Sequence, residues 1–369
     1  MTKRREISRR RLVAKAAITI LLYALGWVPL VHAQHISPSI AATQKAAYVF
    51  PAQYVSSLVL NDPPTLVKRP DSVKVALNSV QGPIAVIYPD IEEPYRSVFT
   101  KIIEGIEVQA KSGLMSYPVG RDFNKQGLLA ELRRHNIRVV IALGRHGLKI
   151  AKDLDADISV VASGVISEPN PEPRVLSVFS LAPDPALLFE QLKTLTPSIR
   201  RIFVVYDPRQ NGWLLRLARA AAKSQGIELI AQEAQDLRTA VHHYQDILLN
   251  ADSKKDALWL PQDSTTVDES AVLPLVLQDS WNRSITVFSS NVSHVRRGAL
   301  FSLYPNNVEL GRNLADSALG FLNLGSQQQR GIMPLKNVLV AVNLRTANHL
   351  GLNLSYQQQR SFNLVFPEQ

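Results

Sequence analysis

Six short polar clusters stand out because each follows an apolar run of strand length. Asp90 comes after Ile84–Tyr88, the triplet Gly144, Arg145, His146 after Arg138–Leu143, and Ser163 with Gly164 after Ile158–Ala162. In the second half, Asp207 and Asn211 follow Arg201–Tyr206. Asp263, Ser264 and Thr265 follow Ala257–Leu260, and Ser290 and Asn291 follow Thr286–Ser289. A ligand of an open α/β sheet sits beyond the carboxyl ends of the strands, so these turns are where chemistry is expected. The residue types suit binding. A guanidinium such as Arg145 takes a carboxylate in two places at once. Asp90 has the charge to hold an ammonium group. Helices that begin just after the turns offer free backbone amides to an anion. The same side chains also suit a plainer task. Asp207, Asp263, Ser264, Thr265 and Asn291 are all good helix caps or turn formers, and Arg145 and His146 suit a solvated loop.

Reaction chemistry is less well represented. The chain has no cysteine, which removes thiolate metal sites, a cysteine nucleophile and disulfides. It has no Gly-x-Ser-x-Gly elbow, Walker A loop, His-Glu-x-x-His or Gly-x-Gly-x-x-Gly sequence, so no enzyme and no cofactor is implied. His242 and His243 are adjacent on an expected helix, where neighbours do not share a face, so no metal site follows. Tyr88, Tyr95, Tyr206 and Trp213 are candidates to stack on a ligand. Tyr88 and Tyr206 end apolar strands and suit core packing with a wet hydroxyl.

The elements that position these clusters alternate regularly. Strands are expected at Ile84–Tyr88, Leu114–Val119, Arg138–Leu143, Ile158–Ala162 and Val175–Phe179. Helices are expected at Pro94–Lys111, Asn124–His135 and His146–Leu154. The order restarts with a helix at Asp184–Leu195. It continues through strands at Arg201–Tyr206, Ile227–Ala231, Ala257–Leu260 and Thr286–Ser289, with helices at Gly212–Gln225, Leu237–Leu249 and Val267–Trp281. A long helix at Asn306–Asn323, a strand at Val338–Val342 and a helix at Leu344–Leu350 close the chain. Strands alternating with helices imply right-handed crossovers and parallel sheets. The expected fold is α/β, with two doubly wound parallel-sheet lobes joined by a multi-strand hinge and preceded by an N-terminal extension. Residues 82–180 with part of 299–334 form the first lobe, and 181–298 with 335–369 the second. The hinge is expected at Phe179–Leu181, Gly298–Leu303 and Leu335–Val338.

The start of the chain reads as a secretory signal over residues 1–33. A basic segment precedes an apolar run from Ala16 to Val31, and Val31-His32-Ala33 offers a cleavage site before Gln34. The run is shorter than the roughly 20 residues that span a bilayer. The whole chain carries +10. Residues 1–34 hold seven of its basic residues and one acid, which leaves 34 basic against 30 acidic, or +4. The basic balance therefore belongs mostly to the signal, and no nucleic-acid partner follows from it. Residues 34–81 are rich in proline and read as an extension or linker.

The second half also resembles a known family. Arg201–Pro208 (RIFVVYDP), Asp256–Thr265 (DALWLPQDST), Ile285–Leu303 (ITVFSSNVSHVRRGALFSL), Leu310-Gly311-Arg312 and Val342–Ala347 (VNLRTA) with Leu350-Gly351-Leu352 are similar to blocks of one family. These are the extracytoplasmic solute-binding proteins of ABC transporters, in the subfamily that resembles tryptophan-binding receptors. The first lobe departs from that pattern, with Gly144-Arg145-His146-Gly147 where a Thr/Ser/Pro-rich turn is usual. The resemblance implies a periplasmic protein that binds a small solute, an amino acid or similar zwitterion or anion, between its lobes. It also implies an ABC permease at the inner membrane as partner. A second reading from the altered first lobe and residues 34–81 is an interaction module that binds another envelope protein.

Overall fold

Alternation along the apolar runs decides which face of a sheet each side chain enters. In β1 (Ile84–Pro89), Ile84 and Val86 join one core while Ala85 and Ile87 join another. In β3 (Val139–Leu143) the split repeats: Val139, Ile141 and Leu143 enter one layer, Val140 and Ala142 the other. A strand with apolar residues at every position must be covered on both faces, which is the condition of a parallel sheet wrapped by helices.

The computed structural model describes residues 84–93, 95–111, 113–120, 123–166, 175–324 and 331–367. All fall in one unit, Val49–Gln369. The expected signal at 1–33 and extension at 34–81 lie outside the described residues. The first sheet holds β1, β2 (Leu114–Val119), β3, β4 (Ser159–Val165), β5 (Val175–Pro183) and β11 (Gly331–Leu335). Its order is β11-β5-β4-β3-β1-β2, with every pairing parallel. Helices α1 (Tyr95–Ala110), α2 (Lys125–Arg134) and α3 (Gly144–Ala151) connect its strands.

The second sheet holds β6 (Arg201–Tyr206), β7 (Glu228–Glu233), β8 (Asp256–Leu260), β9 (Thr286–Ser289), β10 (Phe301–Pro305), β12 (Val338–Asn343) and β13 (Leu364–Phe366). Its order is β13-β12-β10-β9-β8-β6-β7, and only the β10–β12 pair is antiparallel. Its helices are α4 (Pro185–Leu195), α5 (Pro208–Ser224), α6 (Leu237–Asn250), α7 (Val272–Asn282), α8 (Val292–Arg297), α10 (Leu344–His349) and α11 (Tyr356–Ser361). Helices α4 and α5 start by the same device. An aspartate, Asp184 or Asp207, accepts from an early helical amide, and a proline occupies the first helical position.

The chain passes between the sheets three times: from β5 to α4, from β10 to α9 (Asn307–Leu324), and from β11 to β12. The third passage falls at the expected Leu335–Val338. The other two differ from expectation. Phe179–Leu181 lies inside β5, and Gly298–Leu303 runs from the end of α8 into β10 of the second sheet. The passages are tied to each other by Asp184 N to Leu335 O (2.9 Å) and Asn306 N to Asn337 O (3.0 Å).

Helix α9 returns to the first lobe and buries Leu310, Leu314, Ala315, Ala318 and Phe321 against it. It can do so because two glycines meet. A Cβ at Gly105 of α1 would lie 2.0 Å from Val308 O, and one at Gly311 of α9 would lie 2.0 Å from Ile102 O. Both clashes are with backbone, so no side-chain rotation relieves them. Alanine is normally the better helix former by about 1 kcal/mol. Here Gly311→Ala is expected to lower stability by roughly 1–3 kcal/mol through overpacking, read as a lower midpoint in urea unfolding. An unchanged or raised midpoint would show that the helices are free to separate.

Candidate functional site

The expected site residues are placed at or near the carboxyl edges of the two sheets, but several belong to regular elements. Helix α3 begins at Gly144 rather than at His146, so Gly144, Arg145 and His146 form its first turn and not a loop. Arg145 and His146 are exposed. Strand β4 extends to Val165, so Ser163 and Gly164 are inside it rather than beyond it. Ser163 is fully buried and donates its hydroxyl to Phe179 O on the neighbouring strand (2.9 Å). Gly164 has φ +77° and interrupts the register with β5. A Cβ there would lie 2.8 Å from Gly144 N, so the missing side chain lets β4 touch the start of α3. Asp90 is exposed just after β1, its amide bonded to Val119 O (2.9 Å).

In the second lobe, α5 begins at Pro208, four residues before the expected Gly212, so Asn211 sits in its first turn. The expected helix from Val267 begins at Val272, because Asp268 folds the intervening residues into a turn by accepting from Ser270 N and Ala271 N. Asp207, Asn211, Asp263, Ser264 and Thr265 are brought into one hydrogen-bond network. Asp263 is its centre. One carboxylate oxygen accepts from Asp207 N (2.7 Å) and Asn211 Nδ2 (2.9 Å). The other accepts from Thr265 N and Thr266 N, each at 3.0 Å. Asp207 is clasped by Arg209 Nη2 (2.7 Å) and Nε, and receives the Thr265 hydroxyl (3.0 Å). The Arg209 guanidinium holds the Asp207 carboxyl below the usual carboxylate range. Gln210 donates to Thr265 Oγ1 (2.7 Å) and accepts from the Ser264 hydroxyl (3.3 Å).

A carboxylate has about four lone-pair sites, and both aspartates fill theirs from within the protein. Both are also nearly fully buried. Ser290 and Asn291 are committed as well. Ser290 Oγ accepts from Trp259 Nε1 (2.9 Å), and Asn291 caps α8 by accepting from Ser293 N (3.0 Å). The capping geometry is therefore present at Asp207, Asp263 and Asn291.

Sequence reasoning missed what lies beneath Asn291. Ser289 Oγ accepts from Asn291 N (3.0 Å), donates to Leu260 O (3.1 Å) and meets His294 Nδ1 at 2.8 Å. His294 is 3% exposed, with Nε2 3.7 Å from Glu269, which also pairs with Arg297. Burial lowers the His294 pKa below its ordinary 6.5, opposed by Glu269 and helped by Arg297. Also unforeseen are Gln210 and Arg209, which no motif singled out. Their signal is positional: they follow a strand-ending aspartate on the first turn of a helix. Among the described residues no cluster of three or more His, Asp or Glu side chains is placed to hold a metal. None of their helices is long and apolar enough to cross a membrane.

Two sheets that the chain links three times, parallel but for the β10–β12 pair and with polar turns at their carboxyl edges, can be compared with known proteins. Residues 187–358 match the family model of ABC transporter substrate binding proteins. The chain resembles that family. The match falls on the half of the sequence where the motifs were read. Among solved structures, the ligand-free, open form of a substrate binding protein with adhesive properties from Clostridium difficile superposes with a TM-score of 0.55 at 17% identity. That alignment covers 76% of this chain and 99% of the other, and it shows the same type I periplasmic-binding-protein fold. An ABC domain in complex with L-Trp from Streptococcus pneumonia aligns at 14% identity over 77% of this chain and all of the other, with a TM-score of 0.47. A conserved domain protein from Vibrio cholerae aligns at 19% identity over 77% and 99%, with a TM-score of 0.46. No curated protein sequence matches significantly. The family that matches is one of binding proteins.

The network sets two expectations. Asp263→Ala strands three backbone amides and the Asn211 side chain, and is expected to cost about 3 kcal/mol or more, measured by chemical unfolding. A loss under 1 kcal/mol would mean that water replaces the carboxylate easily. For His294, the folded pKa is depressed, so its contribution to stability is complete above the ordinary value of 6.5. That contribution is lost as pH falls from there through the lowered folded value. Unfolding midpoints of the native protein should drop across this interval, and those of His294→Asn should not share the drop.

Proposed function

We propose that this protein captures a small solute between the carboxyl edges of its two sheets, outside the cytoplasm, and presents it to an ABC permease at the inner membrane. The observation that carries this reading is the pairing of a family match over residues 187–358 with polar turns at the edges of both sheets. The first lobe contributes the exposed Arg145 and His146 on the opening turn of α3, with Asp90 after β1. These favour a solute that carries a carboxylate or another anionic group, because a guanidinium binds two oxygens side by side. The second lobe contributes the surface presented by Gln210, Ser264 and Thr265, held in place by Asp207 and Asp263. The two aspartates act as scaffold there. Ligand favours a closed arrangement only through contacts that both lobes share.

The amino acid or zwitterion class rests on Asp90 and Arg145 together, exposed charges of opposite sign that follow neighbouring strands of the first sheet. Export rests on residues 1–33, with mature chain starting at Gln34.

Binding is tested by calorimetry of the purified protein against amino acids, sugars, hydroxy acids and inorganic anions. A saturable response to one class is expected, weakened about tenfold or more, roughly 1.4 kcal/mol, by Arg145→Ala. A flat response to every class would remove the solute-binding reading. Export is tested by N-terminal sequencing of the protein from the periplasmic fraction. Gln34 as first residue is expected, and an intact Met1 would count against cleavage.

A further inference from the structure

A groove of about 690 Å³ lies where the chain passes between the lobes, a size that suits a small ligand. Its walls come from both lobes. Asp184, the N-cap of α4, and Leu217 of α5 belong to the second lobe. Leu310 and Asp316 of α9 and Met333 of β11 belong to the first, and Lys336 stands on the third passage. The groove is separate from the turns assigned to the solute. None of Asp90, Arg145, Gln210 and Ser264 lines it. Leu217 lies two turns, about 10 Å, along α5 from Gln210.

The lining combines apolar surface with a surplus of negative charge. Leu217 is 38% exposed, Leu310 is buried and Met333 is half-buried. An apolar body that enters against them leaves water, which is favourable in proportion to the area covered. The ionisable groups are Asp184, Asp316 and Lys336, two negative against one positive. Each carboxylate uses one oxygen within the protein. Asp184 Oδ1 accepts from Ala186 N (2.9 Å), and Asp316 Oδ1 accepts from Gln109 Nε2 (2.5 Å). A carboxylate has about four lone-pair sites, so both keep acceptor capacity. Lys336 is exposed, and its long stem lets the ammonium turn out to water.

We propose that this groove is a second ligand site, which takes a small organic cation with an apolar body and one primary ammonium. The body covers Leu217, Leu310 and Met333. The ammonium has three donors and no acceptor, and it donates to one of the two carboxylates. The other carboxylate adds to the negative field that draws the cation in. Because the walls belong to both lobes, a bound cation bridges them and favours the lobe arrangement that keeps both walls in reach. This site does not require the cleft to hold a solute.

The test is calorimetry of the purified protein with tryptamine, 2-phenylethylamine and hexylamine. The comparison set is 3-phenylpropanoate and hexanoate, which keep the apolar body and reverse the charge, and ammonium chloride, which has no body. The amines are expected to bind saturably, and the comparison set about tenfold or more weakly. Asp184→Asn and Asp316→Asn keep an oxygen for the existing bonds and remove the charge, and one of them should weaken amine binding about tenfold. Leu217→Gln should weaken it about threefold. Lys336→Gln removes the like charge and should tighten it about twofold. Saturating tryptamine should also slow hydrogen exchange at the Asp184 and Asn306 amides, whose bonds to Leu335 O and Asn337 O tie the passages together. Unchanged exchange there would overturn the bridging role. No binding of any amine, equal binding of amines and carboxylates, or indifference to both asparagine variants would overturn the site. Loss of amine binding in Asp90→Asn, with the groove variants silent, would move the amine into the cleft. That outcome would overturn this inference and leave the solute-binding reading standing.

Discussion

The second lobe is organised around one buried carboxylate. Asp263 accepts from Asp207 N, Asn211 Nδ2, Thr265 N and Thr266 N. It thereby ties the end of β6, the first turn of α5 and the turn after β8 into a single body. Backbone amides at such edges need partners, since water is excluded and no strand continues. A carboxylate that supplies all of them in one place fixes the relative height of two neighbouring turns. Asp207 is then free to turn its own oxygens toward Arg209 and Thr265. Gln210, Ser264 and Thr265 are held on this platform.

The first lobe depends on a steric constraint in place of an electrostatic one. Helix α9 leaves the second sheet after β10 and packs across α1, with Gly105 and Gly311 at the point of contact. The backbones approach closely only because neither residue carries a Cβ. This contact holds the second passage of the chain in place. It also lets β11 complete the edge of the first sheet beside β5. The three passages are then joined by backbone bonds, so the link between lobes is a small sheet-like bundle and not a single strand of linker.

These two devices divide the work. In the second lobe the buried Asp207 carboxylate pairs with Arg209, and in the first lobe the Arg145 side chain is exposed. His294 adds a titratable group beneath the Ser289–Asn291 turn, kept neutral by burial.

The fold was legible because apolar runs of strand length report burial on both faces, and nothing else in the sequence competes with that signal. The runs at Ile84–Tyr88, Arg138–Leu143 and Arg201–Tyr206 are strands, and the motifs around Asp256–Thr265 and Ile285–Leu303 pointed to the family. Some elements were not legible. Strand β10 (Phe301–Pro305) mixes Ser302 and Pro305 with its apolar residues, and β11 gains its partner only from β5, some 150 residues earlier in the sequence. Residue type alone marked Asp207, Asp263, Asn291 and Ser163 as polar groups near strand ends. It did not determine whether their hydrogen bonds point outward or inward. That depends on which amides and carbonyls the neighbouring turns bring within about 3 Å, a matter of distances between segments far apart in the chain. The sequence by itself determined the two α/β lobes and which residues end their strands. Tertiary structure alone decided that Asp207 and Asp263 spend their oxygens on groups of the protein itself, because the turns that supply those partners lie far apart in the sequence.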